Sequence, residues 1–183
     1  MMTDALPHDG GPRTVRVWDL AVRGLHWGLA GAFALAYATG DEWMTVHELA
    51  GFAAVAIVGL RLVWGAVGSE RARFSDFVRG PGAIFRYLRG LATGRPARHV
   101  GHNPAGGFFA VLLLILVAAT GITGWLSIAG GGGLYGEAAE ELHEALANAT
   151  LVAVLIHAAA AVGMSLMHRE NLIRAMLTGR KKR

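Results

Sequence analysis

Four long apolar runs divide the chain, covering about residues 20–39, 46–67, 104–129 and 142–168. Polar, charged or Gly/Pro-bearing segments separate them. A helix needs about 20 apolar residues to cross a bilayer core, so each run predicts a membrane span. The first has a charge-free core, Gly24 to Gly40, between Arg23 and Asp41. The second carries His47 and Glu48 at its start and Arg61 near its end, where a long cationic side chain can snorkel to the interface. Pro104 suits the first turn of the third helix, and the glycines from 130 to 133 end it. In the fourth no charge falls between Glu144 and Arg169. The segment 69–101 interleaves Phe74, Phe77, Ile84, Phe85, Tyr87, Leu88 and Leu91 with Arg71, Arg73, Arg79, Arg86 and Arg89, and Pro81-Gly82 is expected to break it. It predicts one or two short helices lying on the membrane surface. Asn171 to Leu177 looks similar. The expected class is an all-α integral membrane four-helix bundle, one membrane domain over 1–183.

Composition narrows this further. With 54% hydrophobic and 16% charged residues, the chain is too apolar for an ordinary soluble domain. Residues 1–12 lack the basic start and cleavage site of a signal peptide, so the first apolar run is expected to be kept as a span. There is no cysteine, which excludes disulfides, iron–sulfur clusters and covalent c-type haem attachment as intrinsic features. Any metal must be held by histidine, methionine or carboxylate.

The sequence pI is near 10.1. Of the 17 Lys and Arg, ten lie in the N-terminal segment and the 69–101 loop and six follow the last run; segments 40–45 and 130–142 have none. By the positive-inside rule both termini and the long loop are cytoplasmic, which explains the basic pI without nucleic acid.

The histidines supply the candidate chemistry. His143 and His157 are 14 residues apart, so they share a helix face and differ by roughly 21 Å in height. His26 stands the same distance from the outer end of the first span, and His47 opens the second. The four therefore fall on two levels: His47 with His143 near the outer face, His26 with His157 nearer the cytoplasm. Two imidazoles per level, on different helices, is what axial ligation of two b-type haems needs. Zinc ligands would have to converge on one point. His47-Glu48 and His143-Glu144 are not metalloprotease motifs, since Gly51 and Ala147 stand where the second histidine would be; they are the one internal echo. His168 lies at the membrane edge, His8 in the N-terminal tail, and His99 and His102 in the loop. Gly24, Gly28, Gly31, Gly51, Gly121 and Gly124 could clear space for a macrocycle or serve close helix contact. Arg61 and Arg23 are candidate partners of haem propionates.

Several motifs carry a family resemblance. Val17-Trp18-Asp19 with Arg23-Gly24-Leu25-His26-Trp27, His102-Asn103-Pro104, and Arg169-Glu170-Asn171 through Thr178-Gly179-Arg180-Lys181 resemble the b-type cytochrome subunits of nickel–iron hydrogenases and the related bacterial cytochrome b561 proteins. The resemblance covers nearly the whole chain. It departs at Gly24, which replaces a bulkier residue, and at the Gly130–Gly133 loop. It implies a four-helix bundle with two non-covalent haem b groups on His26, His47, His143 and His157. It also implies the bacterial inner membrane and electron exchange with ubiquinone or menaquinone. His102 and Asn103 are candidate quinone contacts. An electron-transfer protein or oxidoreductase subunit is expected; the alternative is a stand-alone superoxide:quinone oxidoreductase, as reported in this family. The segments placed outside hold Asp41, Glu42, Glu48, Glu137, Glu140, Glu141 and Glu144 and no Lys or Arg. That predicts a positively charged periplasmic partner, such as a c-type cytochrome or a basic patch on a larger subunit.

Overall fold

Asp19 starts the first helix. Its Oδ1 accepts the Val22 N–H at 2.7 Å, an N-cap that launches α1 (Leu20–Thr39). The structure, a computed structural model, describes residues 14–40, 42–95, 97–99, 101–131 and 133–182, with Lys182 described by its backbone alone. His8, Arg13, Asp41 and Arg183 lie outside the described residues. The long helices that follow are α2 (Met44–Val67), α5 (Pro104–Ala129) and α6 (Leu134–Met167). Asn103 caps α5 as Asp19 caps α1: its Oδ1 accepts the Gly106 N–H at 2.7 Å, and Pro104 takes the first helical position.

Among the described residues α2, α5 and α6 are long and apolar enough to cross a membrane. α1 has 20 residues but is less apolar, because Arg23 and His26 occupy its first two turns. Large apolar side chains point outward along these helices; Leu60, Ile115 and Leu155 are each 59–60% exposed. Their natural surroundings are acyl chains, not water. α1 packs on α2, α5 on α6, and α2 on α5. Ala54 and Val58 of α2 meet Val117 of α5, with Leu29 and Ala32 of α1 and Leu114 and Ala118 of α5 around them.

One expectation is revised: the fourth long helix starts earlier than residue 142. The segment 130–142 is not a loop: Gly131, at φ +60°, makes the turn and α6 starts at Leu134. At 34 residues α6 is about 51 Å long, against a hydrocarbon core of about 30 Å. Glu137, Glu140 and Glu141 therefore ride on helical turns beyond the apolar span. The segment 69–101 is broken before Pro81, as expected: Pro81 is the first residue of α4 (Pro81–Ala92), because its fixed φ suits that position. A 3-10 turn (Glu70–Ala72) and the short α3 (Phe74–Phe77) precede it.

The fold is also not purely α. β1 (Thr14–Arg16) pairs antiparallel with β2 (Arg180–Lys182), with Val15 opposite Lys181. This ribbon and α7 (Leu172–Thr178) close a cap over one end of the long helices. Val17, Trp18, Val22 and Ala72 form its core, with Trp64 and Met176 packed against them. Asp19 Oδ2 accepts from Trp64 Nε1 at 3.1 Å and from the Ser69 hydroxyl, tying the start of α1 to the end of α2. Burial pushes the Asp19 carboxyl up, but its bonds to Ser69, Val22 and Trp64 outweigh this and hold it below the ordinary aspartate value. Arg23 donates from Nε to Met176 O at 3.3 Å and from Nη2 to Leu177 O, satisfying carbonyls at the end of α7. Gly179 follows at φ +76°; a Cβ there would meet Trp18 O at 2.5 Å.

Candidate functional site: two pairs of facing histidines

The structure brings four histidines together in two pairs. His26 of α1 and His157 of α6 have ring centroids 6.3 Å apart. His47 of α2 and His143 of α6 have theirs 5.8 Å apart. α6 contributes one imidazole to each pair.

The His47–His143 pair is oriented by one device used twice. His47 Nδ1 donates to Ala36 O of α1 at 2.8 Å, and His143 Nδ1 donates to Thr120 O of α5 at 2.8 Å. In each case a glycine lies one turn beyond the accepting carbonyl. A Cβ on Gly40 would stand 3.5 Å from His47 Nδ1, and one on Gly124 only 2.9 Å from His143 Nδ1. The glycine opens the groove through which the ring reaches the backbone. With Nδ1 engaged, the Nε2 lone pair is the one left for a metal, the usual arrangement of a ligating histidine. The His-Glu echo thus extends to a structural echo between the tight pairs α1/α2 and α5/α6. Beside it, Thr150 is fully buried and bonds Thr120 Oγ1 at 3.2 Å, and Tyr37 donates to Asn148 Oδ1 at 2.8 Å across from α1 to α6.

In the His26–His157 pair, His26 Nδ1 is buried with no hydrogen-bond partner. Trp27 meets the His26 ring edge-on at 5.0 Å, and Phe109 of α5 stacks on His157 at 6.4 Å.

These features fit two metal centres, each of which would be held between two imidazoles. Two imidazoles sharing one metal, each nitrogen about 2.0 Å from it and about 1.2 Å from its own ring centre, have centroids roughly 6 Å apart. Separations of 6.3 and 5.8 Å match. Among the described residues no three His, Asp or Glu converge as a tetrahedral site would require. The glycines divide by role. A Cβ on Gly121 would strike Val55 at 2.2 Å and one on Gly28 would touch Ile57 at 3.4 Å, so these two serve helix contact. Gly51, half-buried one turn beyond His47, has nothing within 4 Å of a Cβ placed there, and neither have Gly24 and Gly31, which are exposed.

The remaining candidates gather under the cap. His102 is wedged between Trp18 and Phe77, with ring centroids at 4.7 and 4.5 Å, and its Nδ1 finds no partner. Burial pushes its imidazole down to about 3, and the Arg61 and Lys181 cations add to the effect, so it is neutral at physiological pH. Arg61 Nη2 donates to Ala72 O at 3.0 Å, its guanidinium lies 5.0 Å over the Phe74 ring, and its Nη1 is buried and unpartnered. Arg23, by contrast, gives Nε and Nη2 to the carbonyls of α7. The Asn103 side chain is engaged by its own helix cap. His168 ends α6 and joins neither pair. The accepting carbonyls of Ala36 and Thr120 escape sequence reasoning, because a backbone acceptor leaves no residue signature; the glycines four residues on are the only trace.

On the opposite end of α6, Glu137, Glu140, Glu141 and Glu144 line one open hollow.

A family model described as prokaryotic cytochrome b561 matches residues 17–179, which takes in all four long helices and α7 but neither strand of the ribbon. No curated protein and no solved structure matches the chain. The motif residues Trp18, Asp19, Arg23, His102, Asn103 and the 169–181 stretch are largely those that assemble the cap and its inner wall, while His26 faces His157 beneath it. Half-buried histidine pairs between apolar helices, and a family match over most of the chain, lead to one assignment: this chain belongs to the prokaryotic cytochrome b561 family, helical membrane proteins that bind b-type haem and carry electrons.

Proposed function

We propose that the protein is a four-helix, two-haem cytochrome of the bacterial inner membrane, with both termini cytoplasmic. In this reading it passes electrons between the quinone pool and a redox protein on the opposite side. The observation that carries it is the double pair of facing imidazoles, at 6.3 and 5.8 Å. His26 and His157 would hold one haem b, and His47 and His143 the other. Bound there, haem iron supplies one-electron redox chemistry. The chain's own part is to hold and tune. Bonds from Nδ1 to Ala36 O and Thr120 O fix the ring planes of His47 and His143 and raise the basicity of the ligating nitrogens. Arg61, with a buried free Nη1, is the better propionate partner; Arg23 is already engaged by α7.

The quinone, ubiquinone or menaquinone, would react near the inner pair. His102 and Asn103 stand in that wall, the first enclosed by rings and the second by its cap bond. The acidic face of α6 supports a positively charged partner, such as a c-type cytochrome or a basic patch on an oxidoreductase subunit. The same face would repel superoxide, so the superoxide:quinone oxidoreductase alternative is not adopted.

A pyridine haemochrome assay on the purified chain tests the proposal. It should give two haems per chain, all removed by acid–acetone. His143→Ala and His157→Ala should each lose one. A single haem per wild-type chain would overturn the two-level assignment.

A further inference from the structure

The loop between α4 and α5 borders a cavity of about 280 Å³ that neither histidine pair lines. Its walls include Arg86, Tyr87 and Gly90 of α4, Arg95 and His99 of the loop, and Pro104 at the start of α5. Among the described residues the guanidiniums of Arg86 and Arg95 make no ion pair and no side-chain hydrogen bond. His99 Nδ1 donates to Ala97 O at 3.0 Å, which leaves Nε2 as the atom available to a ligand. The buried Tyr87 ring meets His99 edge-on at 5.6 Å and forms a rigid wall. The segment 69–101 holds two acids, Glu70 and Asp76, against seven arginines, and neither acid lines the cavity.

Two unpaired guanidiniums beside an imidazole suit a phosphate group. Guanidinium forks match its oxygens in pairs, and the match is charge-assisted. The cavity, about 280 Å³, has room for a headgroup-sized anion. The setting is interfacial. On α4, Phe85 is 68% and Leu88 46% exposed, which places that side of the helix in acyl chains while its arginines stay at headgroup depth. Basic pockets at this level recognise anionic headgroups.

We infer that the cavity formed by Arg86, Arg95 and His99 against Tyr87 binds the phosphate of an anionic phospholipid headgroup. It is a lipid site separate from the electron path.

The test uses the full chain in nanodiscs of mixed phosphatidylglycerol and phosphatidylcholine, with retained lipid counted by native mass spectrometry. Each arginine near an anionic surface is worth about fivefold in affinity. Arg86→Gln/Arg95→Gln should therefore lower the retained phosphatidylglycerol-to-phosphatidylcholine ratio by about 25-fold if both act independently. Arg79→Gln, which lies outside the cavity, should leave that ratio near wild type. Arg86→Lys/Arg95→Lys, which keeps charge and loses the fork, should fall between. An unchanged haem spectrum in every variant separates loss of the site from loss of the fold. Inorganic pyrophosphate in neutral detergent forms the soluble arm. Binding of pyrophosphate that needs both arginines, with lipid retention unaffected, would keep the phosphate chemistry and overturn the lipid. If the double variant matches wild type with both probes, the site does not exist.

Discussion

Gly124 and Gly51 separate two ways in which a missing side chain can matter. At Gly124 the neighbour is already present, since a Cβ would press on the His143 ring at 2.8 Å. Gly124→Val should displace that ring from Thr120 O, costing about 1–3 kcal/mol of stability as an overpacked contact, and should lower haem content if the His47–His143 pair holds a haem as proposed. At Gly51 nothing stands within 4 Å. Gly51→Phe should fold normally and still lower haem content, because the space is expected to be shared with a macrocycle. Normal haem in Gly51→Phe would argue against a ring plane at that turn. Haem stoichiometry and optical spectra of both variants check this. At this scale the sequence is informative about spacing and silent about backbone. His143 and His157 share a face by helix arithmetic, and their depths relative to His26 and His47 follow from the span ends. That Ala36 and Thr120 carbonyls receive Nδ1 protons depends on how neighbouring helices approach, which no single residue type encodes.

The cap is the element where sequence reading fell furthest short. Phe77, Tyr87 and the arginines of 69–101 show amphipathic helix, and α4 is one. Yet the pattern cannot reveal that Asp19 joins α1 to Trp64 and Ser69, or that three residues from each end of the described chain pair as strands. Three residues are too few for a strand signal, and those contacts link positions far apart in the chain. His102 gives the cap a measurable pH dependence. Its native value is about 3 against an unfolded value near 6.5. The unfolded imidazole binds a proton that the folded one refuses, so the stabilisation is complete above 6.5 and drains as pH falls towards 3. Between pH 6 and 4.5 the loss should approach 1.4 kcal/mol per pH unit. Amide exchange in β1, α7 and β2 should speed up across that window, and His102→Gln should flatten the trend. Exchange rates in wild type that ignore pH beyond the intrinsic chemical effect would count against a neutral buried imidazole.

Over the whole molecule, charge is sorted end from end. The arginines of the cap and the glutamates of α6 lie at opposite ends of the long helices. Reduction by a basic c-type cytochrome should slow as salt rises, since steering between exposed charges is screened within about 8–10 Å. Glu137→Lys/Glu140→Lys/Glu141→Lys should slow it by at least tenfold at low salt. Stopped-flow rates that respond to neither change would remove this face from docking. α6 links the two ends, and it contributes to both histidine pairs from one unbroken rod. The spacing between the pairs is thus written in covalent geometry, 14 residues of rise or about 21 Å. No hinge lies between His143 and His157 to shorten or lengthen that interval. A partner binding at the glutamate end could tilt or rotate the rod, but it would carry both imidazoles together. In the proposed function, regulation would thus act on the entry and exit of charge, while the interval between the two pairs on α6 is a fixed gauge, retuned by inserting or deleting residues in that helix.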